Sequence, residues 1–467
     1  MRKGSRGMRL VFYVFLLFAV IIVGMSGPAV AATLTVTDSG DTGATGQLRQ
    51  TIAAAASGDT INFSVTGFVL LTGGRIIIAK NLTISGPGAA NLKISGGNSS
   101  GVFEISSGFT VVISGVEIRG GWDATGAGGG ILNRGTLTLT DSAVTNCLAL
   151  FGGGLYNEGT MTLINDTIGG NNTDPANTKP ATAGYGGGIY SKGGPLSLTN
   201  TIITGNNAYV GGGINTFAGG TLAITDSTIQ WNHAALNGGG INTEAGAGQM
   251  TISGSTIIFN SSDSNGGGLY LSTTSSMTND TILGNFATLN GGAIYNYSGS
   301  ATLTNATVNQ NQNNAPQSGA VFRESGAVSV RNTILDNSFN CRGGITSLGH
   351  NIDSSNTCGF TGPGDLVNTN PRLGVIGDNG GPTQTEALLE GSPAINAADP
   401  EIYPPTDQRG VTRPQGSGPD IGAYEVEVAA AAAPAPVPTM NEWGIIIFMT
   451  VAGLGASYYL RRRKAKT

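Results

Sequence analysis

Between residues 121 and 330 one short pattern of apolar and polar positions recurs. Segments such as Leu137-Thr138-Leu139-Thr140 and Leu196-Ser197-Leu198-Thr199 alternate strictly, the period of a strand with one buried face. A stretch of the form Asp-Ser-Thr-Ile-x-x-Asn follows, complete in Asp226 to Asn232. A glycine-rich step with one apolar residue closes the unit. Gly128-Gly129-Gly130-Ile131 returns as Gly152-Gly153-Gly154-Leu155, Gly186-Gly187-Gly188-Ile189, Gly211-Gly212-Gly213-Ile214, Gly238-Gly239-Gly240-Ile241 and Gly266-Gly267-Gly268-Leu269. Weaker copies are Gly291-Gly292-Ala293-Ile294 and Ser318-Gly319-Ala320-Val321, and the spacings are 24, 34, 25, 27, 28, 25 and 27 residues. A steady period of this size predicts a solenoid. Three short strands per unit leave no room for a helix, which favours a parallel β-helix over a leucine-rich horseshoe. One such coil cannot bury its own apolar face, so stacked coils share a column. Parallel crossovers are right-handed by strong preference. The spacing of 34 holds a polar insertion, Asn171 to Ala183, with two prolines, which reads as a surface loop.

Two polar columns flank the central apolar residue of each unit. Three positions before it lie Asp141, Asn165, Asn200, Asp226, Gly254, Asn279, Asn305 and Arg331; three positions after it lie Cys147, Asn171, Asn206, Asn232, Asn260, Asn285, Asn311 and Asn337. Asn and Asp suit left-handed corners and Asx turns. Stacked at ~4.8 Å, Asn amides can also bond from coil to coil. The residue after each glycine triplet should point inward and the next outward. That outward column reads Leu132, Tyr156, Tyr190, Asn215, Asn242, Tyr270, Tyr295 and Phe322, and two residues on, Tyr297 joins it. Stacked rings can simply rigidify the sheet. Exposed aromatics also suit sugar rings, since each has an apolar face and Tyr a polar tip. Tyr156, Tyr190, Tyr270, Tyr295, Tyr297 and Phe322 are therefore the candidate binding face for a neutral glycan or a surface protein.

Both ends carry membrane signals. Arg2, Lys3, Arg6 and Arg9 precede an apolar run from Leu10 to Met25, a Gly27-Pro28 break and small residues Ala29 to Ala32. This reads as a secretory signal over residues 1–32. At the other end, an Ala/Pro linker (429–439) leads into an apolar stretch, Ile445 to Leu460, closed by Arg461-Arg462-Arg463-Lys464. That stretch barely crosses a bilayer, and its basic end should stay cytoplasmic. The body between is expected outside the inner membrane. Val437-Pro438-Thr439-Met440 with Trp443-Gly444 resembles the IPTL-CTERM sorting signal of Gram-negative bacteria, with Val437 and Met440 as departures from Ile and Leu. The resemblance implies recognition by an exosortase-type protease, removal of the tail (440–467) and transfer to the cell surface.

Three further resemblances divide the body. Gly-Gly-[Gly/Ala]-Ile paired with Ile-x-x-Asn over 121–330 resembles the polymorphic outer-membrane-protein repeat. Residues 33–120, with Leu34-Thr35-Val36-Thr37, Leu48-Arg49-Gln50-Thr51-Ile52, Gly58-Asp59-Thr60-Ile61-Asn62-Phe63 and Leu82-Thr83-Ile84-Ser85-Gly86-Pro87-Gly88, resemble a CSLREA-type N-terminal module. Gly46 and Gln50 replace that motif's Cys and Glu. Gln47 to Ala56 is expected to form a short helix covering the first coil's open edge. Residues 331–428 resemble the choice-of-anchor Q domain through Leu348-Gly349-His350-Asn351-Ile352, Asn370-Pro371-Arg372-Leu373, Asp378-Asn379-Gly380-Gly381-Pro382-Thr383, Asp407-Gln408-Arg409-Gly410 and Asp420-Ile421-Gly422-Ala423-Tyr424-Glu425. The fold expected is an all-β, right-handed parallel β-helix, pectate-lyase-like, capped at both ends and followed by one membrane-spanning tail.

Composition narrows the chemistry. Glycine supplies 76 of 467 residues and charged residues only 11%. Nine of the 23 basic residues lie at the two ends, leaving 14 against 28 acidic ones. An acidic body without basic clusters argues against nucleic acid. Three cysteines and two histidines form no zinc pattern, and no cofactor or metal is expected. Cys341 and Cys358 are close in sequence in an exported chain, so a disulfide is expected; Cys147 reads as a packed free thiol. His233 and His350 sit in no triad motif. The rival reading is a polysaccharide lyase or glycoside hydrolase on the same fold. Against it, only Arg134, Lys179, Lys192 and Arg323 are basic between residues 121 and 330. Glu158 and Glu244 share a column but stand three coils apart, ~14 Å. A structural or adhesive surface protein is the reading preferred over an enzyme.

Overall fold

The computed structural model describes residues 31–173, 184–315, 318–427 and 440–465. The secretory signal up to residue 30, most of the insertion, and Val437, Pro438 and Thr439 of the sorting motif lie outside the described residues. Residues up to Val426 form one compact unit and those from Glu427 a second.

The first unit is a parallel β-solenoid. One sheet of 13 strands runs from Thr33–Val36 to Thr346–Ser347, a second of 13 from Gly67–Leu70 to Leu366–Val367, and a third of 11 from Ile76–Ile78 to Cys341–Arg342. Successive coils pair in parallel with equivalent residues opposite one another: Leu137 pairs with Met161, Val144 with Ile168 and Ile131 with Leu155. The pattern predicts three strands per coil, and the structure adds a short fourth. Trp122–Ala127 pairs with Leu148–Phe151, and a five-strand sheet runs from Asn207–Val210 to Gln312–Asn313. These segments carry no clear alternation, because they cross a corner and only one or two of their residues face inward.

In-register stacking makes one continuous core. Ile84, Ile113, Leu139, Leu163, Leu198, Ile224, Ile252, Met277, Leu303 and Val330 form one file within it, each at most 2% exposed. Burying each such side chain contributes roughly 1.5–3 kcal/mol.

The first corner follows the sequence reading for most of its length. Asp141, Asn165, Asn200, Asp226, Asn279 and Asn305 all have φ between 49° and 58°. In the last coil the corner residue is Asn332 (φ 49°), not Arg331. Register explains the slip: Val308 pairs with Leu335, not Ile334, so the inward position moves one residue along.

The second column is an interior amide ladder. Each Asn Nδ2 donates to the next Asn Oδ1, from Asn171 to Asn206 (3.0 Å), Asn232 (2.9 Å), Asn260 (2.9 Å), Asn285 (3.0 Å) and Asn311 (2.9 Å). Each of those Oδ1 atoms also accepts the preceding ladder residue's backbone N–H, as Asn285 does from Asn260 N (2.9 Å). Cys147 begins the column: its N–H donates to Asn171 Oδ1 (2.9 Å), and its thiol is free and buried. The left-handed residue here is the one before the Asn, namely Asn146, Gly170, Gly205, Trp231, Phe259, Gly284 and Gln310. At the third corner only the first glycine of each triplet has positive φ (Gly152, 61°). The second is fixed by close approach, since a Cβ on Gly153 would lie 2.4 Å from Asn172 O.

The open N-terminal edge is covered by a helix, Leu48–Ala54, with Leu48, Thr51 and Ile52 buried. Gln47 Oε1 organises the loop before it, accepting the N–H groups of Thr42 (2.7 Å), Gly43 (2.9 Å) and Ala44 (3.0 Å). The C-terminal region is built in two parts. Residues 341–367 finish the solenoid, with Cys341 and Cys358 joined in a disulfide. Residues 371–426 then turn back along the second sheet. Thr383 Oγ1 donates to Gly254 O (2.8 Å), Asn279 Nδ2 to Thr406 O (2.8 Å) and Asn309 Nδ2 to Glu386 Oε1 (2.8 Å). A backbone carbonyl and two Asn side-chain amides of the coils supply these partners. Among the described residues the second unit contains one helix, Met440–Lys464, of which Gly444–Lys464 is long and apolar enough to cross a membrane.

Candidate ligand-binding face

Parallel in-register pairing fixes the outward column of the third sheet. Tyr156 pairs with Tyr190, Tyr190 with Asn215, Asn242 with Tyr270, Tyr270 with Tyr295 and Tyr295 with Phe322. Their spacing forces like rings together: centroids are 5.4 Å apart for Tyr156–Tyr190 and 5.2 Å for both Tyr270–Tyr295 and Tyr295–Phe322.

The two halves of the column then part company. In the N-terminal half, Phe151 and Tyr185 of the short fourth strands stack at 5.8 Å and lean over Tyr190, Phe151 at 5.6 Å and Tyr185 at 6.1 Å. Leu132, Tyr156 and Tyr190 become a second apolar cluster, at most 7% exposed, with Phe217 packed beside them. The expectation that Tyr156 and Tyr190 are exposed anchors is therefore corrected: outward from the coil is not outward to solvent where a neighbouring strand folds across. Tyr295, 7% exposed, is likewise a packing residue, clamped between Tyr270 and Phe322. In the C-terminal half Tyr297 is 48% exposed, and its ring stacks on Tyr270 at 5.8 Å. Tyr270 and Phe322 are half-buried.

Several polar groups on this face are already paired, while Asn242 Oδ1 is buried without a hydrogen-bond partner. Tyr156 OH donates to Glu158 Oε1 (3.0 Å), and Arg134 Nε contacts Glu158 Oε2 (3.3 Å). Asn242 Nδ2 donates to Asn215 Oδ1 (2.7 Å), and Asn215 Nδ2 to Glu244 Oε1 (2.7 Å). Tyr295 OH donates to Glu324 Oε2 (3.2 Å). Burial pushes the phenols of Tyr156, Tyr190 and Tyr295 upward, and that of Tyr270 to about 12. They are neutral donors at any physiological pH. Burial also raises the Glu244 carboxyl, against the Asn215 hydrogen bond. The separation of Glu158 and Glu244 by three coils, ~14 Å, exceeds the ~5–10 Å across which paired carboxyls work on a glycosidic bond. This face can stack and hydrogen-bond; Glu158 and Glu244 do not form an acid–base pair.

Other ionisable groups act as fasteners. Asp166 Oδ1 accepts Ser142 N–H (2.8 Å) and Oδ2 accepts Ile164 N–H (3.0 Å), while burial pushes its carboxyl up to about 7. Asp280, raised well above the usual range by burial, accepts Ser255 N–H (2.8 Å). Asp407, Arg409, Arg413, Asp420 and Glu425 form a buried network in the returning segment, with Arg413 Nη1 2.8 Å from Glu425 Oε2. His350 Nδ1 lies 2.8 Å from Ala397 O.

His233 has company that the sequence did not reveal. Ser261 pairs with it in register, its Oγ 3.0 Å from Nδ1, and Asp263 Oδ2 is 3.5 Å from Nε2. A hydrolytic trio needs free backbone donors beside the serine for the oxyanion. Here Ser261 N–H donates to Asn232 O and Asp263 N–H to Ala234 O. The trio is thus a polar surface cluster. Among the described residues no group of three or more His, Cys, Asp or Glu is placed to hold a metal ion. Sequence reasoning also passed over Trp231 and Phe259. Their signal is an aromatic immediately before a ladder Asn, where neighbouring coils have glycine.

No family model matches the chain, and no curated protein sequence matches it either. Several solved structures are similar in shape, three of them as follows. The chain is 17% identical to the pectate lyase Pel9A, covering 85% of this chain and 97% of that one at a TM-score of 0.49. It is 13% identical to the Agl-KA catalytic domain (69% of each chain, TM-score 0.42). It is 11% identical to the catalytic domain of a GH87 alpha-1,3-glucanase in complex with tetrasaccharides (73% of this chain, 68% of that one, TM-score 0.33).

Proposed function

We propose that this protein is an exported β-solenoid displayed on the cell envelope, with a structural and adhesive role rather than a hydrolytic one. The observation that carries the adhesive reading is Tyr297. It is a large aromatic left 48% exposed on a ring stack whose other members are held rigid. A pre-stacked, partly exposed aromatic row presents contact area at low entropic cost. The chemistry it suits is the apolar face of a neutral sugar or an apolar protein side chain. Display follows from the secretory signal and the sorting motif, with the Met440–Lys464 helix as the membrane stop before processing by an exosortase-type protease.

Binding of cells carrying the full chain to immobilised neutral glycans and matrix proteins tests the adhesive half. Tyr297→Ser should weaken adhesion at least several-fold without changing the β-rich circular-dichroism spectrum; unchanged adhesion refutes the role of this face. Mass spectrometry of the envelope tests display: the mature pool should lack peptides spanning Trp443 to Leu460. Their presence would leave a plain membrane anchor.

A further inference from the structure

Trp231 and Phe259 occupy the second corner of adjacent coils with φ of 55° and 54°. Bulky side chains are rare in this left-handed region, which costs an L-residue with a Cβ conformational energy. Gly205 fills the preceding coil's slot and Gly284 the following one, both with positive φ. The strain therefore brings no benefit to the turn itself. Nor is it repaid by burial, because Trp231 is 59% exposed. The rings lean in one direction along the rod. Phe259 lies against Gly284, where an added Cβ would be 2.5 Å from Cε1, and Trp231 packs on Phe259 at 4.6 Å between centroids with the ring planes tilted by 31°. One face of the indole is thus supported from below. The other looks toward Gly205, a corner with no side chain, one coil step (~4.8 Å) away. Strain held at an exposed, supported aromatic is a signature of a ligand contact rather than of folding.

The surroundings define the ligand. His233 begins the adjoining strand two residues beyond Trp231, and Ser261 two beyond Phe259. With Asp263 they form the polar cluster described above, while half-exposed Gln230 precedes Trp231. An apolar platform rimmed by an imidazole, a hydroxyl, a carboxylate and an amide matches a pyranose ring, which has one apolar C–H face and equatorial hydroxyls. It does not match an anion, for which the cluster offers no fixed cation.

We infer that the Trp231–Phe259 corner is a stacking site for a neutral hexopyranose or pentopyranose unit of a polysaccharide. The site is separate from the third-sheet face and stands whether or not that face binds.

The test is a titration of the full-length protein with cellohexaose, laminarihexaose, mannohexaose and xylohexaose, read by tryptophan fluorescence in a Trp122→Phe, Trp443→Phe background, where Trp231 is the remaining tryptophan, and by calorimetry. At least one oligosaccharide should give a saturable blue shift. Trp231→Gly, which suits the corner, should lower its affinity at least 10-fold while leaving the melting temperature unchanged or higher. Trp231→Asn, also tolerated at positive φ, should do the same. Tyr297→Ser should leave this signal unaltered even if it abolishes adhesion. No saturable response to any of the four sugars, or an affinity equal to the parent's in both Trp231 variants, overturns the inference.

Discussion

Replacing Asn260 with Ala should damage the fold far more than removing an outward corner amide. The Asn260 side chain makes four hydrogen bonds in a dry interior. Nδ2 donates to Ile229 O (2.9 Å) and Asn285 Oδ1 (3.0 Å), while Oδ1 accepts Asn232 N–H (3.0 Å) and Asn232 Nδ2 (2.9 Å). Alanine leaves the Asn232 N–H without that partner in a place water does not reach. Asn232 Nδ2 keeps its bond to Ile203 O (2.9 Å), so the loss concentrates on one backbone donor, one carbonyl and the vacated volume. An orphaned buried polar group costs roughly 1–3 kcal/mol, and the cavity adds to it, giving about 3–5 kcal/mol in all. The control is Asn165→Gly. Asn165 is exposed, sits at φ 58° and bonds only to Asp141 and Asn200 through its side chain. Glycine tolerates that φ, so the change should cost under ~1 kcal/mol. Urea unfolding followed by circular dichroism, with amide exchange at residues 232 and 260, compares the two. Equal midpoints would mean that the ladder adds nothing to backbone pairing, and the argument fails.

Three other outcomes follow from the same structure. Burial lifts Asp166 and Glu386 to about 7 and Asp420 to about 6. A carboxyl raised on folding stabilises the fold while protonated, fully below its unfolded value, and the benefit is lost as pH rises through the folded one. Melting temperature should therefore fall between pH 5 and 8, with Glu386→Gln removing part of the slope; a flat or rising profile contradicts this. Cys147, whose thiol is pushed up to about 12 by burial, should resist labelling in the native protein. Cys147→Asn should extend the ladder and raise the unfolding midpoint, whereas destabilisation would show that the thiol's packing matters more than its column. Reducing the Cys341–Cys358 bridge, 17 residues apart, should cost about 3 kcal/mol by loop entropy, a shift absent from the Cys341→Ala, Cys358→Ala double variant.

What could be read from sequence was what repetition amplifies. A single Leu-Thr-Leu-Thr is ambiguous, but eight copies in phase fix strands, inward file and corner asparagines together. The first failure came where the copies ran out. From Asn332 to Val367 the period shortens, Leu335 takes the inward place, and a column extrapolated from above lands on Arg331. The returning segment was less legible still. Its contacts are hydroxyls and carbonyls such as Thr383 to Gly254, joining residues 129 positions apart with no shared pattern. Its recurring Asp, Arg and Glu residues look like chemistry in one dimension. Folded, Asp407 and Glu425 spend their oxygens on backbone N–H groups of Arg409, Val411, Gln415 and Asp420, which is how a segment without regular strands satisfies its buried amides.

The aromatic face shows why the site was half legible. Alternation determines which side of a strand a ring leaves from, and it did so correctly for the whole column. It cannot determine whether another part of the coil covers that side. The cover beside the third sheet decides this: Phe151 and Tyr185 lie across Tyr190, whereas the coils carrying Tyr270 and Tyr297 have Asn265 and Asn290 at that place. Asparagines there, with no ring to fold across, leave Tyr297 open. If the cover is what closes the upper half, then Phe151→Ala with Tyr185→Ala should expose Tyr190 to solvent without moving the third sheet. Tyrosine nitration mapped by mass spectrometry would detect it, with Tyr190 modified in the double variant and protected in the parent. Modification of Tyr190 in the parent would mean that the N-terminal half is open after all, and that Tyr156 and Tyr190 must be restored to the binding face.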